Sequence, residues 1–141
     1  MDPIFSKLNY KEGAAVYAIH PPEVFRDLLN TLPENIDVLN DIPVDKPIDF
    51  IIVFVTQRAE LDLLAQKITP RLPGDAIFWL AYPKGTSKKY TCDFNRDTSW
   101  DIMAPYKMLP VRQISIDEDW SALRFRKEAF IKSAKRKPVA D

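Results

Sequence analysis

Glycine, cysteine and histidine are scarce in this chain, and each scarcity excludes a class of functional site. Only 3 of the 141 residues are glycine, whereas 12 are proline. Glycine takes positive φ angles at little cost, while proline fixes φ at about −65° and has no N–H. We therefore expect no glycine-rich loop that cradles a phosphate. Cys92 is the only cysteine and His20 the only histidine, which excludes an internal disulfide and a structural zinc site.

The sequence also lacks an excess of charge and long apolar runs. Lys and Arg together number 20, as do Asp and Glu, which argues against nucleic acid or an anionic membrane as a partner. The longest apolar-rich stretch, residues 50–55, is far shorter than a membrane span. The first residues show no basic segment followed by an apolar run, so we expect no signal peptide. These features predict a soluble cytoplasmic protein that has no metal and no cofactor.

What the chain does contain is an alternation of strand and helix patterns. Its length fits one domain, which we place at residues 1–128, followed by a basic tail at 129–141 that begins as a helix. Apolar runs typical of buried strands occupy residues 14–19, 36–39, 48–55 and 76–82. Apolar residues at helical spacing predict helices over residues 22–32, 57–68 and 95–106, with Thr56 as the N-cap of the second and Asn95 or, alternatively, Asp97 as that of the third.

Two further alternating segments, at residues 111–116 and 122–126, are joined by a link short enough for an antiparallel hairpin. Parallel strands need crossover connections, and the preceding helices can supply them. The fold predicted is a Rossmann-like, three-layer α/β/α domain with a mostly parallel sheet and a C-terminal antiparallel hairpin. Phe78 and Trp79 are expected in the core, and Trp120 and Arg124 are expected to support the edge strand, the first by packing and the second by meeting a carboxylate.

Four stretches carry a resemblance to a known family: residues 56–61, 72–84, 86–93 and 117–125. The most specific pieces are Tyr82-Pro83-Lys84 and the run from Asp117 through Trp120 to Phe125. Over about residues 8–126 the chain resembles an uncharacterised bacterial domain-of-unknown-function family with a methyltransferase-like Rossmann fold. The resemblance implies this fold and no established activity.

The chain departs from working methyltransferases at the turn after its first strand. In those enzymes a glycine-rich turn lets the backbone approach S-adenosylmethionine. The matching turn here has no glycine and contains Pro21 and Pro22, which have no N–H to donate. Asp41 lies about 20 residues after the first strand, where an acidic residue can bind ribose hydroxyls. The alternative is that Asp41 is a solvated loop residue.

Ligands of open α/β sheets bind outside the carboxyl ends of the strands. This rule selects a tentative ligand-binding set, with no catalytic residue among them: His20, Asp41, Thr56, Arg58, Tyr82, Lys84, Thr86 and Ser87. The loop at residues 84–89 is the best candidate anion site, because it holds three lysines, two hydroxyls and a glycine. A solvated loop is the competing interpretation.

His20 could act as a general base with Asp41 as its partner, or simply close a strand at the surface. A pair of Cys92 with His20 is less favoured, because nothing indicates a lowered thiol pKa. Consecutive carboxylates at residues 117–119 fit a solvated turn. The basic residues Lys132, Lys135, Arg136 and Lys137 fit a solubilising end.

Three hypotheses for function follow. The first, slightly preferred, is a non-catalytic Rossmann-like domain that binds a small anionic ligand or a protein partner. The second is an S-adenosylmethionine-dependent methyltransferase with an atypical first loop. The third is an interaction module without a ligand, which forms a homodimer through its last strands.

Overall fold

A computed structural model describes residues 1–131 of the chain. In chain order the strands are β1 (Val16–Ile19), β2 (Val38–Leu39), β3 (Phe50–Phe54), β4 (Ile77–Pro83), β5 (Met108–Ser115) and β6 (Trp120–Lys127). The α-helices are α1 (Ile4–Lys7), α2 (Glu23–Leu29), α3 (Arg58–Ile68) and α4 (Arg96–Met103). Short 3₁₀ turns cover Thr69–Arg71, Ala104–Tyr106 and Glu128–Phe130.

The strands form one sheet in the order β2-β1-β3-β4-β6-β5. The first four strands in this order are parallel, and β6 pairs antiparallel with both β4 and β5. The predicted fold class, a mostly parallel α/β/α sheet with a terminal antiparallel hairpin, is confirmed. Trp120 and Arg124 lie on β6, the interior strand of the hairpin, which pairs with the edge strand β5.

Two apolar cores lie on opposite faces of the sheet, since successive strand residues point to opposite sides. Ile51 and Leu80 belong to the core that also contains the buried residues of α3 and α4. Ile52 and Trp79 belong to the core that contains those of α1 and α2. The Trp79 side chain is fully buried, as predicted. Its indole N–H donates to the carbonyl oxygen of Leu8 at 2.8 Å, which ties the N-terminal segment to the sheet.

Several boundaries differ from the sequence prediction for identifiable reasons. The four residues of α1 are too few to show a periodic pattern, although Ile4 and Phe5 are buried. Strand β2 has two residues rather than four, because only Val38 and Leu39 pair with β1. Strand β5 starts three residues earlier than predicted, and a register shift beside Pro110 lets this edge strand accommodate a residue without an N–H.

The ends of the predicted helices also shift. Helix α2 ends at Leu29, three residues before the predicted end at Leu32, whose side chain is nevertheless buried. Asn95 caps α4 as predicted, since its side-chain oxygen accepts from the N–H of Thr98 at 2.9 Å. The predicted tail helix is a 3₁₀ turn over Glu128–Phe130, and residues 132–141 lie outside the described part.

The connection from β2 to β3, residues 40–49, crosses over without a helix. On the α3 side of the sheet, the loop residues that follow β2 therefore border the end of β1 directly. This loop forms one wall of the largest cleft described below. No helix within residues 1–131 is long and apolar enough to span a membrane.

An ion pair joins the turn before β4 to β6. The Arg126 guanidinium donates to Asp75 in two parallel hydrogen bonds, of 2.8 Å from Nε and 2.7 Å from Nη2. These bonds hold the pKa of Asp75 below its ordinary value of 3.8, against the opposing effect of burial. Because the folded-state pKa is depressed, the stabilisation is present above about pH 4 and is lost as the pH falls through the folded-state pKa.

We predict that Asp75→Asn lowers the free energy of unfolding at neutral pH by about 1 kcal/mol, since both side chains are partly exposed to water. Urea titrations across the acid range check this, and the difference from wild type should vanish at low pH. Asp62→Asn on the exposed face of α3 is the control and should change little. If the difference in the free energy of unfolding between Asp75→Asn and wild type persists unchanged at low pH, the ion pair is not its cause.

Candidate functional site

The carboxyl ends of the parallel strands meet at one edge of the sheet. After β1 the chain passes to β2 on one side and then returns to β3 on the other, so strand order reverses between β1 and β3. Such a switch point is where open α/β sheets bind ligands. His20 follows β1, Thr56 follows β3 by two residues, and Lys84 follows β4. These three predicted residues therefore lie at the carboxyl edge of the sheet.

The turn after β1 has an unusual backbone. His20 has a φ of 55°, in the left-handed region that favours glycine, because a Cβ there crowds the backbone. Pro21 and Pro22 follow, and Pro22 is the N-cap residue of α2 without a side-chain capping bond. The Pro21 carbonyl accepts from Arg26 Nε at 3.1 Å. The turn thus has a conformation that glycine adopts easily, yet it is built from histidine and two prolines.

His20 pairs with a carboxylate other than the predicted one. Its Nδ1 lies 3.0 Å from Oε2 of Glu60 on α3. The expectation that Asp41 is the partner of His20 was wrong, because the His20 ring contacts Glu60 instead. The His20 side chain is 64% exposed and that of Glu60 is 32% exposed. The contact bridges the switch point at the protein surface.

Two adjoining cavities flank the end of β2, and we call them together the β1/β2 cleft. The first has a volume of about 530 Å³ and is lined by Ile19, His20, Asn40, Asp41, Ile42, Pro43, Val44, Leu64, Lys67 and Arg71. The second, of about 520 Å³, lies beside α2 and is lined by Ala18, His20, Pro21, Arg26, Leu29, Val38, Leu39, Asn40 and Asp41. His20, Asn40 and Asp41 belong to both.

The chemistry of the β1/β2 cleft is mixed. Asp41 and Asn40 are exposed and offer oxygen acceptors directly after β2. Leu64 and Val44 add apolar surface, and Val44 is 81% exposed. Lys67 on α3 and Arg71 in the turn that follows it contribute positive charge. Such a cleft can contact a hydroxyl-bearing ring, a flat apolar group and an anionic group at once.

Two other predicted residues, Thr56 and Arg58, have structural contacts at the start of α3. The prediction that Thr56 caps this helix was wrong: Gln57 is the N-cap residue, and its side chain makes no capping bond. The cap comes instead from Asp93, whose Oδ1 accepts from the N–H of Arg58 at 2.6 Å. The Asp93 N–H in turn donates to the Thr56 carbonyl at 3.1 Å. No local sequence signal reveals this cap, because Asp93 lies 35 residues away from Arg58.

A separate cavity of about 330 Å³, here called the β4/α4 pocket, lies at the end of β4. It is lined by Tyr82, Pro83, Lys84, Gly85, Ser87, Tyr90, Thr91, Cys92, Phe94, Asn95 and Arg96. Three of the predicted ligand residues, Tyr82, Lys84 and Ser87, lie here. Phe94, Asn95 and Arg96 were not selected from the sequence, because they follow a polar loop and carry no recognisable motif.

The side chains of the candidate anion loop make hydrogen bonds within the protein. Lys84 Nζ donates to Ser115 Oγ at 2.7 Å. Ser87 Oγ donates to Asp119 Oδ1 at 2.8 Å and accepts from the Tyr90 N–H. These bonds anchor the loop to the β5–β6 hairpin. Thr86 is exposed.

Cys92 and His20 belong to different cavities. Burial raises the pKa of the Cys92 thiol, and its sulfur donates to the carbonyl oxygen of Phe94. Because its pKa is raised by burial, the thiol is protonated at neutral pH. Among residues 1–131 there is also no cluster of His, Cys, Asp and Glu that could hold a metal ion.

No protein-family model and no curated protein matches the sequence. Solved structures match the fold at low identity. The pyocyanin biosynthetic protein PhzM is 9% identical, with a TM-score of 0.60 over 89% of this chain and 53% of PhzM. Magnesium protoporphyrin IX methyltransferase (ChlM) from Synechocystis, solved with bound SAH, is 7% identical, with a TM-score of 0.60 over 88% of this chain and 78% of ChlM.

The N-methyltransferase NodS from Bradyrhizobium japonicum is 14% identical, with a TM-score of 0.59 over 88% of this chain and 92% of NodS. This chain therefore spans about half the length of PhzM but nearly all of NodS. At such identities the similarity concerns the fold alone. The protein has a methyltransferase-like Rossmann fold.

Proposed function

We propose that the protein is an S-adenosylmethionine-dependent methyltransferase with an atypical turn after β1, and that the β1/β2 cleft binds its adenosyl ligand. This is the second of the three hypotheses drawn from the sequence. The observation that carries it is a cleft at the carboxyl edge, beside the switch point, with Asp41 directly after β2. The methyltransferase-like fold supports the proposal by analogy.

The residues of the cleft fit the adenosine half of such a ligand. An acidic residue after the second strand of a Rossmann-like sheet binds ribose hydroxyls, and Asp41 has this position. Ile42, Val44 and Leu64 offer the apolar surface that an adenine ring needs. The exposure of Asp41 lets its carboxylate turn toward the ring of a bound ribose without breaking a hydrogen bond to another described residue.

The amino-acid half of S-adenosylmethionine would be bound by side chains and not by the backbone of the turn after β1. Pro21 and Pro22 have no N–H to offer to a carboxylate. Lys67 and Arg71 line the same cleft and supply the positive charge that a carboxylate requires. S-adenosylmethionine, when bound, supplies an activated methyl group. The role of this chain's residues is then to bind and orient the ligand.

We predict that calorimetric titration with S-adenosylmethionine and S-adenosylhomocysteine gives micromolar binding to the wild-type protein. Asp41→Ala should weaken binding by about tenfold or more, because it removes a charge-assisted hydrogen bond to the ribose. Asp45→Ala, in the same loop but outside the lining of the cleft, is the matched control and should bind as the wild type does.

Absence of heat with either ligand contradicts the proposal and favours the non-catalytic hypothesis. If Asp41→Ala binds the ligand with the same affinity as wild type, Asp41 does not contribute to binding. Circular dichroism of each variant should match wild type, so that a loss of affinity cannot be a loss of fold.

The turn after β1 generates a second prediction, on stability. Where φ is negative, as inside a helix or strand, a protein with alanine is more stable than the same protein with glycine by about 0.5–1 kcal/mol. At position 20 the order should reverse, because φ is 55°: both variants lose the Glu60 contact, but only His20→Ala retains a Cβ in the left-handed region. Urea unfolding should give His20→Gly a free energy of unfolding about 1 kcal/mol higher than that of His20→Ala. Equal stability, or a more stable alanine variant, contradicts the left-handed conformation.

A further inference from the structure

The β4/α4 pocket contains a polar group without a partner. Tyr82 is 8% exposed, so more than nine-tenths of its surface is buried. Its hydroxyl makes no hydrogen bond with any residue of the described chain, although it lines the pocket. The oxygen is not among the fully buried side-chain atoms without a partner in the described residues, so it is accessible from outside the core. A phenol whose ring is buried while its hydroxyl stays accessible at a cavity offers a hydrogen-bond donor to a bound molecule.

The charge around this hydroxyl is positive. Burial raises the pKa of Tyr82, and the nearby Arg96 guanidinium opposes that rise only in part. The phenol is therefore protonated at neutral pH and can donate a hydrogen bond. Arg96 and Lys84 line the pocket, and no carboxylate does. Arg96 is also the first residue of α4, so the positive end of that helix adds to the same field.

Three aromatic side chains, those of Tyr82, Tyr90 and Phe94, line part of the pocket. The rings of Tyr82 and Phe94 lie with their centroids 5.9 Å apart at an interplanar angle of 48°. Pro83 and the half-buried Tyr90 and Cys92 complete the apolar lining. A volume of about 330 Å³ is at the small end of the range for ligand cavities, about 300–1,000 Å³, which limits the occupant to roughly one ring.

We propose that the β4/α4 pocket binds a small aromatic carboxylate, with its ring against Tyr82 and Phe94 and its carboxylate facing the Tyr82 hydroxyl and Arg96. The pocket has no lining residue in common with the β1/β2 cleft. The inference is therefore independent of the adenosyl ligand. It also differs from the anion site predicted in the sequence, since it relies on Tyr82 and Arg96 rather than on the lysines and hydroxyls of the 84–89 loop.

Benzoate and its neutral isostere benzamide are suitable probes, used with the full-length protein. We expect benzoate to bind with a dissociation constant on the order of 1 mM, as its few atoms allow, and benzamide to bind at least about tenfold more weakly. Arg96→Gln should reduce benzoate affinity by about tenfold, and Tyr82→Phe by about threefold to tenfold. Arg96→Lys should retain part of the affinity because it retains the charge.

The matched controls are Arg112→Gln, which removes an exposed guanidinium on β5 outside the lining of the pocket, and Tyr106→Phe, which removes a phenol that lines a different cavity. Both should bind benzoate as the wild type does. A second readout locates the ligand. Cys92 lies in the pocket, so saturating benzoate should slow alkylation of this single thiol by iodoacetamide at about pH 8.5.

Each other result overturns the proposal. If benzamide binds as tightly as benzoate, the negative charge of the carboxylate does not contribute to binding. Unchanged benzoate affinity in Arg96→Gln, or an unchanged alkylation rate at saturating benzoate, places any binding elsewhere. Absence of benzoate binding at tens of millimolar excludes the site as proposed. Thermal melting of the variants separates a loss of affinity from a loss of fold, and Arg96→Lys keeps the test valid if Arg96→Gln is unstable.

Discussion

Burial of β3 and β4 on both faces is the constraint on which the rest of the structure depends. Every residue of these two strands is buried, and full burial of one large apolar side chain contributes about 1.5–3 kcal/mol. A sheet buried on both faces requires a helix layer on each, and parallel strands require crossovers between them. The two strands themselves carry no charged side chain. The carboxyl edge consequently collects His20, Asp41 and Lys84, which are far apart in sequence.

This constraint is also what makes the fold predictable. The continuous apolar runs that become β3 and β4 are strong sequence signals, and the alternating segments of the terminal hairpin are equally clear. Strand ends and helix caps are different, because they depend on partners elsewhere in the chain. Asp93 caps α3 from 35 residues away, and β2 is cut to two residues by its pairing with β1. Neither contact leaves a local pattern.

The sequence predicted that the candidate residues lie at the carboxyl edge of the sheet, but it did not predict which of them lie close together. The rule on strand ends selected residues at the carboxyl edge of the sheet. The structure places His20 and Asp41 in the β1/β2 cleft and three others in the β4/α4 pocket, while the remaining three line neither. His20 contacts Glu60 rather than Asp41. Between the cavities, the contacts of Thr56 and Arg58 with Asp93 tie the start of α3 to the loop before α4. The cleft beside β2 has mixed charge, whereas the pocket beside β4 is aromatic and cationic, so the two favour different ligands.

The central claim is that the β1/β2 cleft binds an adenosyl ligand despite a turn built from histidine and two prolines. Amide chemical-shift mapping of the ¹⁵N-labelled protein during titration with S-adenosylhomocysteine tests this claim most directly. The account predicts saturable shifts concentrated at residues 19–20, 40–42 and 64–71, with residues 82–96 little affected. An unchanged spectrum at millimolar ligand, or shifts confined to residues 82–96, would contradict it.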